Sequence, residues 1–349
     1  MNLKELSGHL GLSQTTVSRA LNGYSDVKAS TRVRVVAAAK EHNYLPNSRA
    51  KALATGRAMS IGHVIPRTAQ HELVNTIFAD FIAGASETYS ARGYDLRMVT
   101  VNDADEFATY ERLANTGAVD GFVLHGPSHD DKRIKLLNDL NVPFVVHGRS
   151  SNCDQPYSWL DVNNRSAFKR ATDLLLDLGH TRVALLNGDE SMDFAIRRRE
   201  GFTLAHEQRG LAIDATLMHS NEMSEPYGFE TTRQLMALDA PPTAIVASAL
   251  IPALGIQRAA HELGLKIGRD LSVICFDDAL SYFPNGSGAP LFTATRSSVR
   301  DAGLRCGTLL IDQIEAADDA PVVTELWEAE LVVGGSTGPN FAGMPRREA

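Results

Sequence analysis

The sequence predicts an α/β chain in which two lobes of parallel sheet, flanked by helices, follow a small all-α helix-turn-helix head. Three observations carry this. Leu3, Leu6 and Leu10 recur at helical spacing and stop at Gly11, short apolar strands alternate with amphipathic helices from Gly56 onward, and charge is divided unevenly between the two parts. Residues 1–57 hold nine Lys/Arg against three Asp/Glu, a net of +6, whereas the remainder holds 25 against 39, a net of −14. A basic head on an acidic body concentrates attraction for phosphate at one end and keeps the rest off a polyanion. At 349 residues, the chain is long enough for more than one compact unit with its own core.

In the head, Gly11 breaks the first helix where a tight turn between two short helices needs it. Ser13 is placed to cap a second helix whose inner face is Val17 and Leu21, so that Gln14, Thr15, Ser18 and Arg19 point outward and Asn22-Gly23 closes the helix. Amide, hydroxyl and guanidinium groups at the start of a second helix suit base edges in a major groove. A third helix, Thr31 to His42, offers Val33, Val36, Ala37 and Ala39 to the same core, with Tyr44 and Leu45 folding over its end and Pro46 stopping it. Ser48 to Thr55 has helix formers and basic residues but too few apolar positions to fold alone, and would order on DNA.

Ile61–Ile65, Asp95–Val101, Gly121–Leu124 and Pro143–His147 read as the strands of a first lobe, connected by helices near Asn75–Arg92, Asp105–Thr116 and Asp130–Leu140. A second set begins near Asp161 with a helix to Leu178, then strands at Val183–Leu186, Thr243–Ala247 and Leu271–Phe276. Cys153, Cys275 and Cys306 are scattered, odd in number and without CxxC spacing, so buried free thiols are expected rather than a disulfide or zinc site. The N-terminus is not a signal peptide and no stretch approaches a membrane span, so a cytoplasmic location is expected.

Gly-Leu-Ser-Gln-Thr-Thr-Val-Ser-Arg-Ala-Leu-Asn-Gly (11 to 23), then Thr31 and Asn-Tyr-Leu-Pro-Asn (43 to 47), resembles the LacI/GalR family of bacterial repressors. The likeness covers essentially the whole chain, with further landmarks at Asn75–Ala79, Gly93-Tyr94, Leu178–Arg182, Arg198–Phe202 and Phe276-Asp277-Asp278. It implies DNA contacts by Gln14, Thr15, Thr16, Ser18, Arg19 and Asn22, and a hinge helix whose Leu53 wedges into the central minor groove. It also implies a homodimer on a near-palindromic operator. The body would be a periplasmic-binding-protein-like, two-lobed sensor with three crossovers, near Trp159, Leu291 and Val323. The division then runs 1–46 for the head, 47–57 for the hinge helix, 58–340 for the effector-binding and dimerisation domain, and 341–349 for a flexible tail. Within the sensor the N-lobe takes about 58–159 and 292–322, and the C-lobe about 160–291 and 323–340. The tail lacks leucine heptads, which favours a dimer over a tetramer.

Ligands of open parallel sheets collect beyond the carboxyl ends of the strands. There the sequence offers His125, Arg149, Asp161, Ser248 and Asp277-Asp278, with Arg198 from the segment Asp193–Glu200 and Phe78 as an aromatic face. Carboxylate, guanidinium and aromatic groups together suit a sugar. The resemblance puts Arg198 and Asp277 foremost, then His125 and Phe78, then Arg149, Asp161 and Ser248; Asp278 reads as a cap and His180 as a turn or packing residue. Two departures stand out: Ser248-Ala249 replaces the family's usual Asn-Asp, and Gly334 stands where a basic residue is frequent. The run Phe-Val-Val-His-Gly-Arg (144 to 149) looks like repressors of α-glucoside utilisation, pointing to a carbohydrate inducer, with a purine-type corepressor as the alternative. A solute-binding protein would share the lobes but need a signal peptide and no basic head. An enzyme would need a nucleophile–base pair, metal spacing or phosphate loop, none of which is present, and no cofactor is called for.

Overall fold

The computed structural model describes residues 1–21, 24, 26–44, 57–66, 75–316 and 321–340. In the head, α1 (Leu3–Leu10) opens on a reciprocal cap, Asn2 with Glu5, and ends on Gly11 at a φ of +64°. Helix α2 (Gln14–Leu21) starts as expected from Ser13, whose Oγ accepts from the Thr16 amide at 3.1 Å. Helix α3 (Ala29–Glu41) begins two residues before the expected Thr31, and its buried face differs from the expected one. Val35, Ala38 and Ala39 join Leu6, Val17, Ala20 and Val27 in the core, while Val33 and Val36 are 70% and 49% exposed and Ala37 also faces solvent. At about 100° per residue only one of two adjacent valines can face inward. Arg32 donating to the Tyr24 carbonyl (2.6 Å) and Arg34 to the Leu10 carbonyl (2.5 Å) accompany the rotation that turns Val35 in. Tyr44 packs against this core. Leu45, Pro46, the hinge segment with Leu53, and the tail 341–349 lie outside the described residues.

The first sheet is built from β1 (Ser60–Pro66), β2 (Asp95–Val101), β3 (Gly121–His125), β4 (Phe144–His147), β5 (Ser158–Val162) and β11 (Thr324–Trp327), in the order β11-β5-β4-β3-β1-β2, all parallel. The second holds β6 (Val183–Asn187), β7 (Met218–Ser220), β8 (Ala244–Ala247), β9 (Ser272–Asp277), β10 (Thr293–Arg296) and β12 (Glu330–Val332), in the order β12-β10-β9-β8-β6-β7, with only the β10–β12 pair antiparallel. Helices α4 (Thr76–Arg92), α5 (Glu106–Asn115), α6 (Lys132–Asp139) and α11 (Val299–Ala316) pack on the first sheet, and α7 (Asn164–Asp177), α8 (Asp193–Glu207), α9 (Glu225–Met236) and α10 (Leu250–Glu262) on the second. This is the two-lobed parallel α/β body that the alternating pattern predicts.

The three crossings between sheets fall a few residues later than expected. β5 stays paired in the first sheet through Val162 rather than leaving near Trp159, β10 belongs to the second sheet through Arg296 rather than crossing near Leu291, and β11 lies in the first sheet beyond Val323. A strand completes its hydrogen-bonded ladder before the chain departs. Helices α4 and α11 meet at glycines: a Cβ on Gly84 would lie 2.0 Å from the Arg300 carbonyl oxygen and one on Gly303 2.0 Å from that of Phe81. His180 packs as expected, with Nδ1 2.9 Å from the Thr243 hydroxyl and Nε2 3.0 Å from the Gly338 carbonyl oxygen. Cys275 and Cys306 are buried and Cys153 half-buried, all as free thiols. Among the described residues no helix is long and apolar enough to cross a membrane.

Candidate nucleic-acid interface and ligand cleft

Burying Val17 and Ala20 on one side of α2 forces the polar side outward: Gln14, Thr15 and Arg19 are exposed, and Thr16 and Ser18 half-buried. Arg19 is already ordered, lying 5.1 Å over the Tyr24 ring with Nη2 2.8 Å and Nε 3.3 Å from the Asp26 carboxylate. Both partners are about half exposed, so the pair opens at small cost when a better anion is offered. Asn22, like Leu53, lies outside the described residues.

In the body, the loops after the strand carboxyl ends bring the lobes together. The Asp193 amide donates to the Pro127 carbonyl (3.0 Å), the Ser151 amide to Asp193 Oδ1 (3.0 Å) and the Ser281 amide to Asp80 Oδ2 (2.6 Å). Leu280, carried by the loop after β9, is buried in the core of the first lobe with Ile61 and Phe81. The segments after β3, β4, β6 and β9 therefore meet between the lobes, at the candidate cleft.

Arg198 of α8 is its best-defined cation. The guanidinium sits 4.5–5.0 Å from the ring centres of Phe276, Phe194 and Phe168, donates from Nε to Asn164 Oδ1 (2.8 Å) and from Nη1 to the Ser248 carbonyl (2.6 Å), and among the described residues makes no hydrogen bond through Nη2. Burial lowers it to about 10, opposed by Asp278 and Asp161. The weaker candidates Arg149 and Asp161 pair with each other, Nε to Oδ2 at 2.8 Å, and the second Asp161 oxygen accepts from Asn164 at 3.3 Å. Burial raises the Asp161 carboxyl and Arg149 opposes the rise. These contacts form one chain, Arg149–Asp161–Asn164–Arg198–Ser248, that runs from the first lobe to the second. Asn164 was not singled out from sequence; its only signal there is a pair of Asn residues placed to cap a helix after a strand.

The two acids at the end of β9 differ in their surroundings. Asp277 is the one that caps: its Oδ1 accepts from the Ala279 amide (2.8 Å), where φ is +53°, and its Oδ2 lies 3.9 Å from Arg296 Nε. Asp278, read from sequence as a cap, caps no turn with its carboxylate among the described residues, and burial pushes that carboxyl up to about 7, with Arg198 opposing and Asp277 adding to the rise. Side chains alternate along the strand end, so capping the turn with one acid turns the next toward Arg198's field. Ser248 is fully buried with its hydroxyl unpartnered, and Ala249 leaves α10 without a side-chain cap, as the departure from Asn-Asp implies. Gly334 is required by packing, since a Cβ there would lie 2.6 Å from the Pro290 carbonyl oxygen.

On the first-lobe side, Phe78 in the first turn of α4 meets His125 edge-on, with ring centres 5.0 Å apart. His125 ends β3 beside His147 of β4, and behind it stand His63 and Tyr89, neither of which sequence reasoning found. A histidine inside an apolar strand carries no local sign of its partner. Among the described residues, no group of three His, Cys, Asp or Glu is arranged to hold a metal ion.

Residues 2–47 match the family model described as bacterial regulatory proteins, lacI family, and residues 172–337 match that of the periplasmic binding protein-like domain. The chain is 44% identical over 340 residues to the HTH-type transcriptional regulator AglR of Rhizobium meliloti (strain 1021), covering 97% of this chain and 95% of that relative. It is 33% identical over 278 residues to the HTH-type transcriptional regulator RafR of Escherichia coli, covering 79% and 82%. Among solved structures, the lac repressor dimer bound to operator and the anti-inducer ONPF aligns with a TM-score of 0.81 at 25% identity, over 97% of this chain and 99% of that one. A complex of the transcriptional regulator CelR with cellobiose aligns with a TM-score of 0.69 at 25% identity, over 96% and 99%.

Proposed function

The chain belongs to the lacI family of bacterial regulatory proteins, and from that premise we propose that it is a dimeric transcriptional repressor of a sugar-utilisation operon, released from its operator by a carbohydrate in the interlobe cleft. The observation that carries the DNA half is the polar face of α2, with Gln14, Thr15 and Arg19 exposed on a head of net +6. Thr16, Ser18 and Asn22 support those contacts, and Leu53 of the hinge segment 47–57 wedges into the minor groove between half-sites and kinks it. Residues 58–340 form the sensing and dimerising part, and the protein works in the cytoplasm, where its operator is.

The ligand half rests on Arg198 and the two acids beside it. A guanidinium with a free edge, a carboxylate held in its field and an aromatic–imidazole wall at Phe78 and His125 match the hydroxyls and C–H face of a sugar. In this reading Asp277 shapes the turn that presents Asp278, Ser248 offers its unpartnered hydroxyl, and Arg149 and Asp161 hold Asn164 and hence Arg198. The relatives' sugar connection supports the class: a solved relative holds cellobiose. An α-glucoside is the specific ligand we favour. Binding shifts the relative orientation of the lobes and so the pairing of the hinge helices, and the ligand leaves unchanged.

A thermal-shift screen of maltose, sucrose, trehalose and free purines, followed by operator anisotropy with each hit, tests this. A saccharide that raises Tm and weakens operator binding is the expected result. A purine that raises Tm and tightens operator binding would replace the inducer reading with corepression.

A further inference from the structure

Three histidines, one on each of β1, β3 and β4, gather on the α4 face of the first sheet. His63 is fully buried, with Nδ1 2.9 Å from His125 Nε2 and Nε2 3.0 Å from the Tyr89 hydroxyl. Tyr89 is 1% exposed, and among the described residues its hydroxyl has no other hydrogen-bond partner. The second nitrogen of His125, Nδ1, makes no hydrogen bond among the described residues, and the ring stands half-buried at the carboxyl end of β3 beside Phe78. Burial holds His63 at about 3 and His125 well below the usual histidine range, so each ring carries a single proton at neutral pH.

A chain of two neutral imidazoles and one phenol can run in two directions. In the first, Tyr89 O–H donates to His63 Nε2, His63 Nδ1–H donates to His125 Nε2, and the His125 proton sits on Nδ1. In the second, His125 Nε2–H donates to His63 Nδ1, His63 Nε2–H donates to the Tyr89 oxygen, and the phenolic proton is left buried without an acceptor. An orphaned buried donor is rarer and costlier than an unused lone pair, which selects the first direction. We propose that His63, oriented by Tyr89, is a positioning residue that fixes the His125 tautomer, so that His125 offers an N–H donor to the ligand space. The cleft then favours a ligand with an acceptor oxygen at this point, a hydroxyl or glycosidic oxygen, and disfavours an ammonium. The consequence for ligands rests on the proposed sugar cleft; the tautomer does not.

The test is a long-range proton–nitrogen correlation spectrum of the full-length protein labelled at histidine nitrogens, with His125 assigned by its loss in His125→Asn. The expected wild-type ratio of Nδ1–H to Nε2–H exceeds about 10. His63→Gln keeps this state, because its carbonyl accepts from Tyr89 while its amide donates to His125. His63→Glu reverses it at a pH above that at which its buried carboxyl ionises, followed in the same spectra, because an ionised carboxylate only accepts and draws the His125 proton to Nε2. A wild-type ring protonated at Nε2, or a wild type and an ionised His63→Glu of the same tautomer, overturns the inference even if either variant binds operator poorly. Titration with whichever of maltose, sucrose or trehalose raises Tm then separates the two readings. Affinity about tenfold weaker in His63→Glu and near wild type in His63→Gln supports both. Unchanged affinity with a reversed tautomer upholds the positioning role and overturns the placement of His125 at the ligand.

Discussion

Replacing Arg198 by Met separates what the guanidinium does for folding from what it does for binding. The methionine stem keeps the apolar contacts with Phe168, Phe194 and Phe276 but leaves Asn164 Oδ1 and the Ser248 carbonyl without their donor. Two buried acceptors without a partner cost about 1–3 kcal/mol each, or roughly 2–6 together. Against this, burial lowers the guanidinium from its ordinary range to about 10, so removing the cation relieves a penalty on the order of 3 kcal/mol. The two effects largely offset, and the net destabilisation should lie between about −1 and 3 kcal/mol, read as the shift of the urea midpoint at unchanged slope. The Tm response to saccharide should vanish, and operator binding should survive but no longer be relieved. A variant destabilised by more than about 5 kcal/mol would refute the claim that burial penalises this cation. One that still responds fully to saccharide would refute its place in the cleft.

Four further outcomes follow from the same geometry. Because the Asp278 carboxyl is raised from 3.8 to about 7, its stabilising contribution is present below pH 4 and is lost as pH rises through 7, by up to about 4 kcal/mol; Asp278→Asn should flatten the denaturation midpoint across that window, and an equally steep profile would remove the buried acid from the account. Arg19→Ala should weaken operator binding by about 1–3 kcal/mol with lost discrimination between operator variants, whereas an unchanged preference in competitive binding would assign it to phosphate alone. Val35→Ala should reduce hydrogen-exchange protection of α3 by roughly tenfold, about 1–2 kcal/mol, while Val33→Ala stays within about 0.5; equal effects would contradict the observed helix phase. Leu53→Ala should reduce operator bending in a gel circular-permutation assay, and a wild-type bend angle would sink the wedge.

The sequence by itself determined what local periodicity and backbone chemistry encode. Leucines three and four apart, Gly11 at a positive φ and Ser13 as a cap specify the head's first two helices, and runs of Val, Ile and Leu mark β1, β3, β4, β6, β8 and β9 within about two residues. It also placed His125, Ser248 and Asp277 at the carboxyl ends of strands and Phe78 at the start of a helix. Where local signals were degenerate, it erred. In α3 the consecutive Val and Ala residues present two equally apolar faces, and only packing against α1 and α2 chose Val35 over Val33 and Val36. The short strands β5, β10, β11 and β12 lack an apolar run, so the crossings had no mark in the chain.

Tertiary structure alone decided which polar groups meet. His63 lies 62 positions from His125, Asn164 lies 34 from Arg198, and Asp80 lies 201 from Ser281. A hydrogen bond or a shared burial depends on distance in space, which no spacing along the chain records. For that reason the helix-turn-helix could be read from its own residues, whereas the capping of the turn by Asp277, and the contacts that join Tyr89, His63 and His125, became legible only once the lobes were folded.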